Sequence, residues 1–212
     1  MKILPSFIQF IQLTTKKYNI DDSHGLSHSM DVLHFANQIY QNVVIKNPYI
    51  KEQEPIIYTS ALLHDMCDKK YMDEKEGIKY IQTFLTYKLK CHEIHAVSDI
   101  ISTMSYSKVK IHGYPSLGKY QLAYHIVREA DLLSAYDIDR SIMYHLHKTN
   151  GNFTEAYQNA RELFSQRVLK HHMDELFVND YSRVLGTKLH EDALKKIKSW
   201  EQVIQTYDKL SF

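Results

Sequence analysis

Six glycines and four prolines in 212 residues constrain the fold of this chain more than any motif it carries. A multi-stranded sheet needs more turn residues than that, so the scarcity favours helices. The apolar period agrees. Leu4, Phe7, Ile8 and Ile11 share one helical face, and so do Ile78, Ile81, Phe84 and Leu85. The spacing predicts helices over about 2–18, from a Ser23 or Ser27 cap to Lys46, and over 56–66, 74–90, 92–104, 119–136 and 138–148. Two more are expected from Thr154 to Phe177 and from Thr187 onward. Asn47-Pro48 breaks the second helix and Pro55 opens the third. Residues 105–118, with two glycines and a proline, read as the longest irregular stretch, of the kind that covers a site. An all-α class follows.

The length suits one domain, 1–212, with a core over about 20–180 and a C-terminal helix over about 187–212 packed on it. A net charge of +1 gives no reason to expect nucleic acid or an anionic membrane as partner. No uninterrupted apolar run is long enough to span a bilayer, and the first residues read as an amphipathic helix rather than a signal peptide. Cys67 and Cys91 imply no disulfide framework, so a reducing, cytoplasmic setting is the simpler expectation.

Chemistry concentrates at His64-Asp65, which closes the apolar run Ala61-Leu62-Leu63. About one His-Asp pair is expected by chance in a chain this rich in histidine, so the surroundings must supply the specificity. Upstream, Ser23-His24-Gly25-Leu26-Ser27-His28 opens a helical pattern. Downstream, Asp131 lies near a helix end. His28, His64, Asp65 and Asp131 make two imidazoles and two carboxylates, a ligand set for one divalent ion. Mixed nitrogen and oxygen donors suit Mn, Fe, Co, Ni or Mg, and Zn less specifically. Asp68, three residues past Asp65, is placed to handle a proton, and Lys69 or Lys70 to neutralise a phosphate. His24, four residues before His28, lines the pocket or supports a ligand. Ser105-Tyr106-Ser107-Lys108 offers hydroxyls and an ammonium to phosphate oxygens or a ribose.

The order H…HD…D, carried by SHGLSHSMDVLHFA, ALLHDMCDKKY, IISTMSYSK and IVREADLLSAYD, resembles the HD-domain phosphohydrolase superfamily. The small single-domain YedJ/YpgQ-like branch is the closer match, over roughly residues 20–145. The resemblance implies a single helical bundle of about eight or nine helices with one divalent metal ion at its centre, held by His28, His64, Asp65 and Asp131. It implies metal-dependent hydrolysis of a small phosphorylated substrate, a nucleotide, by a monomer or homodimer. Cleavage of nucleoside triphosphates to monophosphate and pyrophosphate comes first, with nucleotidase or cyclic-nucleotide phosphodiesterase activity as the alternative. It points to Asp68 and Lys70 as catalytic, with Lys108, His24 and Lys69 on the substrate. Two positions depart from the branch: Asp31 stands where Arg is common, and Gly25 where an acidic residue is. A metal- or nucleotide-binding module without turnover is the competing class.

Several tempting features read as structural. His92 and His95 are three apart, where the zinc-protease motif needs four. His171-His172 reads as surface, Cys67 as a half-buried thiol, and Arg128, Arg140, Arg161 and Arg167 as surface helix residues.

Overall fold

The computed structural model describes residues 3–209, and every regular element among them is helical. Ten α-helices and four short 3-10 turns follow one another, and they form two compact units, Met1–Ser134 and Ala135–Phe212. No helix among the described residues is long and apolar enough to cross a membrane.

The first unit holds α1 (Ile3–Tyr18), α2 (Leu26–Lys46), α3 (Glu54–Leu63), α4 (Glu74–Leu85), α5 (Cys91–Thr103), α6 (Tyr106–His112) and α7 (Gln121–Ser134). α3 is its axis. Pro55 sits in its first turn, and Ile56, Ile57, Ala61, Leu62 and Leu63 are all buried. A helix apolar on every side must be surrounded, and α2, α5 and α7 all pack on it. α1 closes another side through Phe10, whose ring stacks on Phe84 of α4 at 4.1 Å between centroids.

The expected irregular stretch 105–118 contains α6, which adds a helix to those read from the sequence. Three polar residues at its start hid the period, and Val109 is its only buried position among the described residues. α3 also ends sooner than expected. After Leu63 the ladder tightens to turns in which the Met66 N–H donates to the Leu63 carbonyl and the Asp68 N–H to that of Asp65. His64 and Asp65 therefore start the turn rather than finish the helix.

That turn is held from behind by Gly77 of α4. A Cβ on Gly77 would stand 2.8 Å from Cβ and 2.9 Å from Cα of Cys67, two residues beyond Asp65. Gly77→Ala should gain about 1 kcal/mol of helix propensity. Overpacking against backbone costs about 1–3 kcal/mol, and the clash should win. A lower Tm is expected in thermal unfolding; an unchanged or higher one would mean that the turn yields.

The second unit holds α8 (Ile138–Lys148), α9 (Phe153–Gln166) and α10 (Asp180–Asp208). α9 was expected to reach Phe177 but stops at Gln166, where Arg167 leaves helical geometry. α10 starts seven residues before Thr187 and runs through Gly186. Glycine is needed there because a Cβ would meet the Phe177 ring at 2.9 Å. The last three residues of the expected C-terminal helix, 210–212, lie outside the described residues, as does Lys2. α10 is tied to α8 by Trp200, whose Nε1–H donates to Asp139 at 2.8 Å, and by Lys196 paired with the same carboxylate at 2.6 Å. His171, expected at the surface, is fully buried, with its ring against Tyr136 and Phe177. Its imidazole is used as a core ring, which local polarity could not reveal.

Candidate metal centre

Three segments of the first unit bring the expected ligands together. The N-terminal turns of α2 supply His28, the turn after α3 supplies His64 and Asp65, and the last turns of α7 supply Asp131. Both imidazoles are buried, and the two carboxylates keep a little exposure. His28 Nε2 lies 3.1 Å from His64 Nε2, 3.2 Å from Asp65 Oδ2 and 3.5 Å from Asp131 Oδ1. His64 Nε2 lies 3.4 Å from Asp65 Oδ2 and 3.7 Å from Asp131 Oδ1. Donor atoms at 2.0–2.2 Å from one ion stand about 2.8–3.1 Å apart at adjacent octahedral positions and about 3.3–3.6 Å apart in a tetrahedron. His28, His64 and Asp65 meet that test as a group, with one donor atom each, all within 4.8 Å of one another. Asp131 faces both imidazoles from slightly farther out.

Proton placement favours a cation as well. His64 Nδ1 is 2.9 Å from the Ala61 carbonyl, an acceptor, so Nδ1 carries the hydrogen and Nε2 of the neutral ring points its lone pair at His28. Asp65 Oδ2 is buried without a directed hydrogen bond. Lone pairs converging in this way suit a divalent ion.

Without an ion the same groups hold protons. Burial opposes charge on His64, but Asp65, with Asp131 and the Ala61 carbonyl, outweighs it and raises the imidazole from 6.5 to about 9. Burial pushes the Asp65 carboxyl up, but His64 and His28 hold it well below the usual range. Asp131 is held low in the same way, by His28 and His64 against its burial. An ion on Nε2 must displace the His64 proton, so affinity should weaken about tenfold per unit as pH falls below about 9. Calorimetry in buffers of differing ionisation enthalpy should show about one proton released per ion near neutral pH. Binding independent of both pH and buffer would exclude His64 as a ligand.

A second polar network begins one turn before His28. Asp21 caps the 3-10 turn Asp22–His24: its Oδ1 accepts from the Ser23 N–H at 2.9 Å and from the Ser23 hydroxyl, and its Oδ2 accepts from the Tyr71 hydroxyl. His24 Nδ1 is 2.8 Å from Ser23 Oγ and 3.1 Å from Tyr71 Oη, and its ring lies edge-on to His28 at 6.2 Å. The Lys70 ammonium donates to His24 Nε2 at 3.1 Å and lies 3.5 Å from Asp68 Oδ2. Asp68 Oδ1 accepts the Lys70 N–H at 2.9 Å.

The expected substrate residues thus divide. His24, Asp68 and Lys70 form one cluster. Lys69 is exposed and makes no hydrogen bond or ion pair among the described residues. Lys108, on α6, is held by Glu74 and donates to the Ser102 carbonyl at 2.6 Å. Gly25 is the N-cap of α2, and Asp31 is exposed. Cys67 is buried rather than half-buried. Burial and the Glu74 and Asp65 carboxylates push its thiol up to about 12, so it stays protonated and unreactive. Arg128, expected at the surface, is only 2% exposed and pairs with the fully buried Glu129 at 3.4 Å. The sequence pattern did not single out Asp21 or Tyr71, and Ser23, expected as a helix cap, instead bonds Asp21 and His24. The pattern Asp-x-Ser before a histidine signals a side-chain-capped turn, but nothing local points to Tyr71.

No family model matches this chain, and no curated protein does. Among solved structures it is similar to a structural-genomics target from Lactobacillus plantarum. The two are 17% identical over 96% of this chain and 97% of that one, with a TM-score of 0.68. At that identity the likeness shows the fold alone: an all-helical architecture shared along nearly the whole of both chains.

Proposed function

We propose that this chain is a metal-dependent phosphohydrolase of the HD-domain kind, acting on a small phosphate ester or anhydride. The observation that supports it most is the convergence of His28, His64 and Asp65 donor atoms from separate segments on one point, with Asp131 alongside. Held there, a divalent ion lowers the pKa of water and neutralises charge on an attacked phosphorus centre. The chain's own residues supply the rest. Lys70, half exposed and held by His24 and Asp68, is the cation placed to turn to a phosphate, and Asp68 fixes the turn that carries it. Lys108 is engaged by Glu74 and must exchange that partner before it meets a substrate.

A nucleotide is the favoured substrate, and a nucleoside triphosphate cleaved to monophosphate and pyrophosphate comes first. That preference rests on the sequence resemblance. Metal-stripped protein, with Mg, Mn, Co, Ni or Zn added back, is to be offered nucleoside mono-, di-, tri- and cyclic phosphates, with Asp65→Ala as control. Release of phosphate or pyrophosphate that needs metal and disappears in the variant is the expected result, and the product identifies the bond. Metal binding with no turnover on any substrate would sink the hydrolase reading in favour of a binding module.

A further inference from the structure

The hydrogen atoms around His24 can be placed one by one. Asp21 as a carboxylate only accepts, so the Ser23 and Tyr71 hydroxyls both spend their hydrogens on it. Their oxygens are then acceptors toward His24 Nδ1, at 2.8 and 3.1 Å. On the opposite edge of the ring, the Lys70 ammonium has hydrogens only to give, and it stands 3.1 Å from Nε2. Both edges demand the same tautomer, with hydrogen on Nδ1 and a lone pair on Nε2. The arrangement is that of a buried carboxylate fixing an imidazole, here 3.6 Å from Nδ1 and linked to it through two hydroxyls.

Building on the phosphohydrolase reading, we propose that Asp21 is a positioning residue. Through Ser23 and Tyr71 it holds His24 in the Nδ1–H tautomer, so that the His24–Lys70 edge beside the metal centre offers the substrate an acceptor and a cationic donor together. Such an edge fits a phosphate group accompanied by an O–H. Lys70 turns its hydrogen from His24 Nε2 to an anionic phosphate oxygen, and the Nε2 lone pair so released accepts from the hydroxyl. A bare polyphosphate with no O–H would draw Lys70 away and give that lone pair no hydrogen in exchange. The O–H comes either from a sugar hydroxyl or from a protonated phosphate.

Asp21→Asn is the direct test. Its amide nitrogen donates where the carboxylate accepted. One of the hydroxyls is thereby reversed, and His24 is driven toward the Nε2–H tautomer, against Lys70. Imidazole 15N spectra of the metal-free and Mg-loaded protein, with His24 assigned through His24→Gln, should show hydrogen on Nδ1 in the wild type. A shift toward Nε2–H is expected in Asp21→Asn, and a partial one in Tyr71→Phe, which leaves the Ser23 contact and the fold in place. With metal content unchanged, Asp21→Asn should lower turnover about tenfold, in the range of lost supporting contacts at metal sites. Comparing nucleotides with their dideoxy analogues separates the two O–H sources: a preference lost in Asp21→Asn assigns the sugar, and equal use assigns the phosphate. A wild-type His24 carrying hydrogen on Nε2, or a tautomer unmoved in both variants, would overturn the proposal. The spectra need neither substrate nor turnover, so they stand apart from the fate of the hydrolase reading.

Discussion

His64→Ala is expected to weaken divalent-ion binding by at least about a thousandfold, because supporting contacts alone are worth about 10–100-fold and the proposed role of this residue is that of a ligand. The ring is oriented before any ion arrives: the Ala61 carbonyl fixes Nδ1–H, burial fixes the rotamer, and Nε2 is already 3.4 Å from Asp65 Oδ2. Alanine removes that donor and strands two carboxylates that His64 helps hold in their charged form. Leaving a buried charge without its partner costs about 3–5 kcal/mol, an upper figure here because both carboxylates keep some exposure. Two readouts separate the effects. Without ion, the wild type draws stability from His64 that is fully present below its unfolded value of 6.5 and is lost as pH rises through about 9. The carboxylates contribute above their unfolded value of 3.8, and that contribution goes as pH falls through their lower folded values. His64→Ala should therefore be less stable between these limits and lose the decline toward alkaline pH. With ion at about a hundred times the wild-type Kd, the wild type gains about 2.7 kcal/mol and its Tm rises. A variant whose Tm rises equally with added Mn would show that the ion binds elsewhere.

The helices, and the histidines and aspartates that they bring together, were legible in the sequence. A periodic apolar face declares a helix locally in α2 and α7, a continuous apolar run after Pro55 does so in α3, and each holds or adjoins a histidine or aspartate. What was not legible depends on partners distant in the chain. Tyr71 reaches Asp21 across fifty residues, and only the fold shows that Lys108 is already paired with Glu74. α10 starts seven residues before the expected Thr187, and Gly186 lies inside it against the Phe177 ring, a contact only the fold shows. Arg128 and His171 were placed on the surface by their polarity, which is right for most such residues and wrong where the core supplies a partner or a ring.

Arg128 and Glu129 carry the second large effect. They are consecutive on α7, and neighbouring positions on a helix diverge by about 100°, so their pairing at 3.4 Å requires the long guanidinium stem to fold back. It does so in the interior, where Glu129 is fully buried and the guanidinium also lies 4.8 Å over the Tyr114 ring. Removing one charge from such a pair costs about 3–5 kcal/mol, whereas replacing both with apolar groups of similar volume is often nearly neutral. Glu129→Gln should accordingly cost several kcal/mol in urea unfolding. Arg128→Met with Glu129→Leu should cost less than that single change, an inversion that simple loss of packing cannot produce. His125, one turn earlier, reports on the same guanidinium. Burial, then Arg128, pushes its imidazole down to about 4, and Arg128→Met should let it titrate higher by NMR. A Glu129→Gln cost below about 1 kcal/mol would mean that the pair is screened or water-linked, within the range of surface ion pairs. The position of the pair also joins stability to chemistry. Arg128 lies one turn before Asp131, so whatever loosens this stretch of α7 loosens the carboxylate it delivers to the candidate metal centre.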